Sequence, residues 1–380
     1  MTLGIVLLFL PLLVHLGHLG LWSRGMRGAF ATSTGCGKPG PPDPTPLGVV
    51  LPFRNEADTL PHLLEDLARQ RMAPAEVILV DDASDDGTWP AVERAGPWPF
   101  PIRCIANPGQ GKKAGLSAGI SALASPWAVG VDADTRLRPD ALAAISDHLA
   151  VHGEGLDMAL LPLRIANEPD GVPKSLLGRL QALDFAAMQG WAVAAVRRGG
   201  PAMASGGGWV WRSAAFPHNR LRPEIPSGDD VFSLAALLED GRGGRVGWIG
   251  DRRAMVSAAA MPDGVSLLDQ RIRWGAKTTR YPAALKEARR VAWTVSLVHL
   301  CGAILLVLNP SAGLAFWGIK SAADMAYTRQ VGRAYNVLPE NRAKALGDLL
   351  ALALTHPLFI ATTLLLMPVR NVRWKGRPAT

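Results

Sequence analysis

The chain has 380 residues, of which 48% are hydrophobic, and its 40 Lys and Arg outweigh 32 Asp and Glu for a formal charge of +8. That length allows one large or two ordinary domains, and the apolar balance argues against a simple soluble domain. The basic excess suits an anionic membrane surface or a phosphorylated substrate, and no nucleic-acid-binding motif accompanies it, so no nucleic-acid partner is expected. The three cysteines, Cys36, Cys104 and Cys301, lie far apart, with neither metal spacing nor a disulfide framework, as in a reducing compartment.

Residues 1–22 contain no Asp, Glu, Lys or Arg and are followed by Arg24 and Arg27. A signal peptide carries its charge before the apolar run, so this reads as a retained membrane anchor. Residues 23–46 read as a linker, rich in Gly and Pro in "TSTGCGKPGPPDPTP". Strand-like and helix-like runs then alternate: "LGVVLPF", "EADTLPHLLEDLARQ", "EVILV", "TWPAVERA", "PIRCIA", "KKAGLSAGISALA" and "WAVGV". Such alternation predicts βαβ units and an α/β fold with a mainly parallel sheet. Ligands bind such sheets outside the carboxyl ends of the strands. The four loops at that edge are "RNE", "DDASDDGT", "NPGQGKK" and "DADT", all polar, acidic or Gly-rich, which favours a site there.

The last loop poses a physical question. Asp132 and Asp134 flank one alanine, and side chains two apart on a strand point the same way. Like charges so placed repel unless a cation lies between them. Mg²⁺ binds through one or two carboxylates plus substrate phosphates; the alternative is a loop whose aspartates cap the next element. Further along come "SGGGWVWRSAAF" (205–216), "SGDDVFSLA" (227–235) and "QRIRW" (270–274). Asp in "SGDD" also suits a helix N-cap, and "QRIRW" also suits an interfacial amphipathic helix.

Two uncharged regions follow, 291–319, interrupted by Asn309-Pro310, and 349–369, with lengths that suit membrane spans. The positive-inside rule puts Arg24, Arg27 and the tail residues Arg370, Arg373, Lys375 and Arg377 in the cytoplasm. An even number of crossings after the middle domain satisfies both, met by two spans or by a hairpin at Asn309-Pro310 with one helix lying in the interface, although 320–344 is also basic. The expected organisation is therefore an anchor (1–22), a linker (23–46), a catalytic domain (47–281) facing the cytoplasm at the inner membrane, and a membrane region with a basic tail (282–380). His15, His18, His299 and His356 lie in apolar segments and read as incidental.

In this order and spacing, "VVLPFRNE", "VILVDDASDDGT", "GKKAGLSAGI", "VDADT" and the later motifs resemble the family 2 glycosyltransferases over roughly 47–277. The nearest branch is membrane-bound and includes cellulose, hyaluronan and poly-N-acetylglucosamine synthases and ceramide glucosyltransferases. The resemblance implies an inverting enzyme with the Rossmann-like GT-A fold, a nucleotide-sugar donor (a UDP-sugar), Mg²⁺ or Mn²⁺, and a lipid or growing glycan as acceptor. It assigns Glu56, Asp81, Asp82, Lys112 and Asp132 to the donor nucleotide, with Lys113 as an alternative to Lys112. Asp134 and Asp132 become the metal pair, and Asp230 the general base, beside Asp229 where the family has Glu. Gln270, Arg271, Arg273 and Trp274 become pyrophosphate and acceptor contacts. Gly206 and Gly207 form the donor-sugar wall, made bulky by Trp209 and Trp211. The competing readings are a nucleotidyltransferase on a similar sheet and an inactive, membrane-anchored sugar-nucleotide-binding protein.

Overall fold

The computed structural model describes residues 2–30, 43–168, 171–374 and 377–378. Helices α1 (Thr2–Leu8) and α2 (Leu10–Met26) open the chain, and Gly4–Met26 is long and apolar enough to cross a membrane. α2 runs past the expected boundary at 22. Met26 and Ala29 are buried, Arg197 donates to the carbonyls of Gly25 and Arg27, and Trp248 Nε1 donates to Ala29 O at 2.8 Å. The first part of the expected linker is thus docked on the globular region. Its remainder, including Cys36, falls in 31–42, outside the described residues.

The predicted alternation is found as β1 (Leu47–Phe53), α3 (Leu60–Ala68), β2 (Glu76–Asp81), α4 (Thr88–Ala95), β3 (Ile102–Ala106), α5 (Gly111–Ala122) and β4 (Trp127–Gly130). β1 is buried at all positions but Pro52, as a strand covered on both faces must be. α3 buries Leu60, Leu63, Leu64 and Leu67, the one-sided stripe of an amphipathic helix. α5 lies very close to the sheet. A Cβ on Gly119 would fall 2.4 Å from Val50 Cγ1, and one on Gly115 2.9 Å from Pro52 Cβ.

Beyond β4 the chain forms β5 (Thr135–Leu137), α6 (Ala141–His152), β6 (Met158–Leu160), β7 (Leu163–Ile165), α7 (Leu176–Arg197), β8 (Trp209–Arg212), α8 (Asp229–Glu239), β9 (Val246–Trp248), β10 (Val256–Ala258) and α9 (Gly264–Gly275). The main sheet has the order β3-β2-β1-β4-β8-β6-β9, and β5-β10-β7 form a second, smaller sheet. β1 to β4 are mutually parallel where they pair, while β8 runs antiparallel to both β4 and β6. Trp209 and Trp211 on β8 are buried. The Trp209 ring fills the space over Gly130, where a Cβ would lie 2.1 Å from it, and Trp211 meets Phe216 edge-on. Strand alternation turns both indoles into the core, so they are not the bulky ligand-facing wall expected of them.

The C-terminal region is α10 (Lys286–Leu308), α11 (Pro310–Ala334) and α12 (Arg342–Leu366). Asn309 Oδ1 accepts from Ala312 N with Pro310 opening α11, so the uncharged run 291–319 is two helices joined at one turn. Ala283–Leu308 and Arg342–Leu366 are, with Gly4–Met26, the three described helices apolar enough to span a membrane. α11 carries Lys320 and Asp324. His15 Nε2 lies 2.7 Å from Asp324 Oδ1 and Lys320 donates to Asp324 at 2.6 Å, so His15 ties α2 to α11 and is not incidental. α7 packs against α2, α11 and α12, and Arg179 on α7 makes a buried two-pronged pair with Asp348 on α12 at 2.7 and 3.0 Å. Arg370 pairs with Asp269 on α9, so the tail starts on the globular region; Lys375 lies outside the described residues.

Candidate active site

The loops after β1, β2 and β3 are stitched together at the sheet's carboxyl edge. Arg54 donates to the carbonyls of Asp82 and Ala83, both at 2.7 Å, and Ala57 N donates to Asp86 Oδ2 at 3.0 Å. Glu56 accepts from Thr59 Oγ1 at 2.6 Å, and Asp81 Oδ1 from Ser84 N at 2.9 Å. Asp82 is only 5% exposed, and its Oδ1 accepts from Asn107 Nδ2 and Gly111 N at 2.8 and 3.0 Å. That oxygen is engaged by the protein's own loop. The Asp82 carboxylate binds the loop after β3 to the start of α5, because unpaired backbone donors there would be costly to bury.

A second group of charges gathers where β4, α5, α8, the loop before β8 and the end of α9 converge. Val131 and Ala133 are buried while Asp134 is exposed and Asp132 partly so, so alternation turns both carboxylates away from the core. Lys112, in the first turn of α5, donates to Asp132 Oδ1 at 2.6 Å and to Gly206 O at 3.1 Å, and pairs with Asp229 Oδ2 at 3.1 Å. A Cβ on Gly206 would lie 3.0 Å from Lys112 Nζ, 3.2 Å from Asp229 Oδ2 and 3.7 Å from Asp230 Oδ2. One on Gly207 would lie 3.2 Å from Asp132 Oδ2. These glycines let the backbone approach the charged groups.

Asp229 and Asp230 form the first turn of α8, and the cap position before them belongs to Gly228, at φ +87°. Asp230 Oδ1 accepts from the adjacent Val231 N at 2.8 Å. Burial by itself would raise the Asp229 carboxyl, but Lys112 and then Lys277 hold it below its ordinary value. Burial raises Asp230, with Lys277 opposing and Asp229 reinforcing, and the net shift is upward. The two adjacent carboxyls are thus pushed in opposite directions.

The "QRIRW" segment divides. Burial lowers the Arg273 guanidinium although Asp132, Asp229, Asp230 and Asp134 all pull it up, so Arg273 faces the acidic group. Arg271 is committed elsewhere. It pairs with Asp184 on α7 at 2.5 Å, lies 4.4 Å over the Trp274 ring and donates to Gln270 at 3.2 Å. Residues two apart on a helix do not share a face, which separates Arg271 from Arg273 and corrects the expectation that both meet pyrophosphate. Trp274 has one face covered by Arg271 and also neighbours Phe185. Two lysines complete the group. Lys113, drawn down to about 8 by burial, donates to the carbonyls of Arg222 and Ile225 at 2.8 and 2.9 Å and so holds the loop before α8. Motif reading misses Lys277; its spacing of four from Arg273 is the available signal.

The chain matches Glycosyl transferase family 2 over residues 48–188 and Glycosyl transferase family group 2 over residues 127–365, the latter more than half its length. The chain belongs to the family 2 glycosyltransferases. This glycosyltransferase is 37% identical over 94 residues to the succinoglycan biosynthesis protein ExoO of Rhizobium meliloti (strain 1021), covering 24% of the chain and 26% of ExoO. It is 30% identical over 117 residues to the undecaprenyl-phosphate 4-deoxy-4-formamido-L-arabinose transferase of Serratia proteamaculans (strain 568), covering 30% of the chain and 35% of that protein. The chain thus spans about a quarter and a third of these curated relatives. In fold it resembles the mannosyltransferase PcManGT from Pyrobaculum calidifontis, solved with GDP-Man and Mn²⁺, with a TM-score of 0.56 at 17% identity over 92% of the chain and 98% of that structure. The glycosyltransferase has the GT-A fold, with apolar helices near both ends.

No group of three or more described His, Cys, Asp or Glu residues encloses a metal position in this glycosyltransferase. Asp132 and Asp134 offer two hard carboxylate ligands, with Asp134 at the wall of a cavity of about 100 Å³ shared with Thr59, His62 and Arg136. Two carboxylates on an accessible edge suit a cation whose sphere is completed by substrate phosphates and water, so the donor set fits Mg²⁺ or Mn²⁺.

Proposed function

We propose that this glycosyltransferase is membrane-held and inverting, and that it moves one sugar from a nucleoside diphosphate sugar to a hydroxyl of a lipid or lipid-linked glycan. The observation carrying this reading is the Asp229–Asp230 pair at the start of α8, Asp229 buried and Asp230 half-buried, whose carboxyls are shifted in opposite directions beside Lys112, Arg273 and Lys277. The acceptor oxygen attacks the anomeric carbon from the face opposite the leaving group, and a new C–O bond forms. The bond from that carbon to the diphosphate oxygen breaks with its electron pair, and the acceptor proton passes to Asp230. Lys112 and Arg273 face the leaving diphosphate. Asp132 and Asp134 would hold the Mg²⁺ or Mn²⁺, which when bound supplies positive charge against that diphosphate. A carboxyl of raised proton affinity favours a hydroxyl acceptor, since a phosphate oxygen is already ionised and needs no base.

The ordered later motifs support the membrane-bound branch, and the resemblance points to a UDP-sugar; PcManGT was solved with GDP-Man, so both nucleotides belong in a test. Three candidate spans and flanking Arg24, Arg27, Arg370 and Arg373 support a cytoplasmic active site at the inner membrane. Purified full-length protein, incubated with UDP- and GDP-sugars and membrane lipid extract, should give a lipid heavier by one glycosyl unit in mass spectrometry. Lipid masses unchanged with every donor would count against the reading.

A further inference from the structure

One buried cation near Asp230 has no task in this chemistry. Lys277 lies two residues beyond α9 and is 9% exposed. Its ammonium makes no hydrogen bond or ion pair with a described residue, while the rest of the side chain is packed away, an uncommon setting for lysine. Its stem lies against Gly228, where a Cβ would be 3.1 Å from Lys277 Cδ. Gly228, at φ +87°, is the residue from which α8 and its two aspartates start.

The other charged and titratable groups facing Asp230 are Asp229 on its own helix, Lys112 and Lys113 on α5, Arg273 on α9, and Tyr281. Lys112 is engaged by Asp132 and Asp229. Lys113 is engaged by two backbone carbonyls. Arg273 lies in the field of four carboxylates, Asp132 foremost. Lys277 and Asp230 are each the other's strongest charged influence.

We propose that Lys277 is the positioning cation of Asp230: its stem seats the first turn of α8 on Gly228, and its ammonium supplies the positive charge that faces the Asp230 carboxylate. The proposal rests on the reading of Asp230 as the base. Lys277 itself exchanges no proton; it offsets the burial that would otherwise leave Asp230 protonated and unable to accept one.

The test uses the full-length protein and reads Asp230 in two ways. The first is the carboxyl C=O stretch, isolated as the infrared difference between each protein and its Asp230→Asn counterpart and followed against pH, which needs no turnover. The second is the acid limb of the pH–rate profile for transfer. Lys277→Met should move both upward by about one pH unit or more, a factor of about ten in proton affinity, with nucleoside diphosphate affinity within about twofold. Lys277→Arg should return both toward the parent values; Lys277→Gln replaces the methionine variant if that fails to fold. An unmoved carboxyl titration in a folded variant overturns the proposal. So does a loss of nucleotide affinity with the acid limb in place, which would assign Lys277 to the donor phosphates. A shifted titration with transfer indifferent to Asp230→Asn would retain the pairing and remove the base reading; an unshifted titration with transfer abolished by Asp230→Asn would do the reverse.

Discussion

The molecule contains two pairs of aspartates built from the same residue and set in different surroundings. Asp132 and Asp134 alternate with the buried Val131 and Ala133 beyond β4 and reach solvent. Asp229 and Asp230 are adjacent at the start of α8, enclosed, and faced by Lys112, Arg273 and Lys277. The first pair faces outward, with Asp132 bonded to Lys112; the second is split, one carboxyl held low and the other drawn upward. On the proposed reading, environment rather than residue type decides which carboxylate ligates a cation and which takes a proton.

The largest effect expected from breaking this division is on the second pair. Asp230→Asn keeps size and the bond from Val231 N but removes the proton acceptor, so transfer should fall by about 10²–10⁴-fold in turnover assays. Melting temperature should hardly move. Lys112→Met tests what joins the two pairs, because Lys112 bridges Asp132 and Asp229. It strands a buried carboxylate, with an expected stability loss of about 3 kcal/mol in denaturant melts, which Asp229→Asn in the same chain should partly restore. A smaller effect follows from pH. Asp230 must be ionised to act and its proton affinity is raised, so the rate should fall on acidification through a limb above the ordinary aspartate range, and the limb should vanish in the residual activity of Asp230→Asn. The sign for stability is opposite in the two acids. The contribution of Asp229, held low, is present above the ordinary aspartate value and lost as pH falls through its lowered one. That of Asp230 is present at low pH and lost as pH rises through its raised one. The least effect on chemistry comes from Gly119→Ala, whose Cβ would press on Val50. It should cost about 1–3 kcal/mol of stability by overpacking and leave the Asp230 titration in place.

Much of this arrangement is legible in the sequence. Period and punctuation locate β1 to β4 and the loops at their ends, because buried parallel strands are continuous apolar runs. Family resemblance then picks out Lys112, Asp132, Asp230 and Arg273, which do converge. What stays hidden depends on side-chain direction and on partners far along the chain. Asp82 reads as a ligand-facing acid, and nothing local in the sequence shows that Asn107 and Gly111 also bond to it. Arg271 looks equivalent to Arg273 until Asp184 on α7 takes it. Trp209 and Trp211 lie beside the glycine loop in sequence, yet the pleat turns them into the core. Gly115 and Gly119 make the contact between α5 and the sheet, which no local pattern displays. The pairing of His15 with Asp324 spans most of the chain, beyond any local pattern.

The division between the two pairs is tested most directly by calorimetry of nucleoside diphosphate binding, with and without Mn²⁺, on Asp134→Ala and Asp230→Asn proteins of parent-like melting temperature. The account predicts that Asp134→Ala loses the Mn²⁺-dependent gain in affinity while Asp230→Asn retains it in full. Retention by Asp134→Ala, or its loss in Asp230→Asn, would contradict the separation of a cation-holding pair from a proton-accepting one.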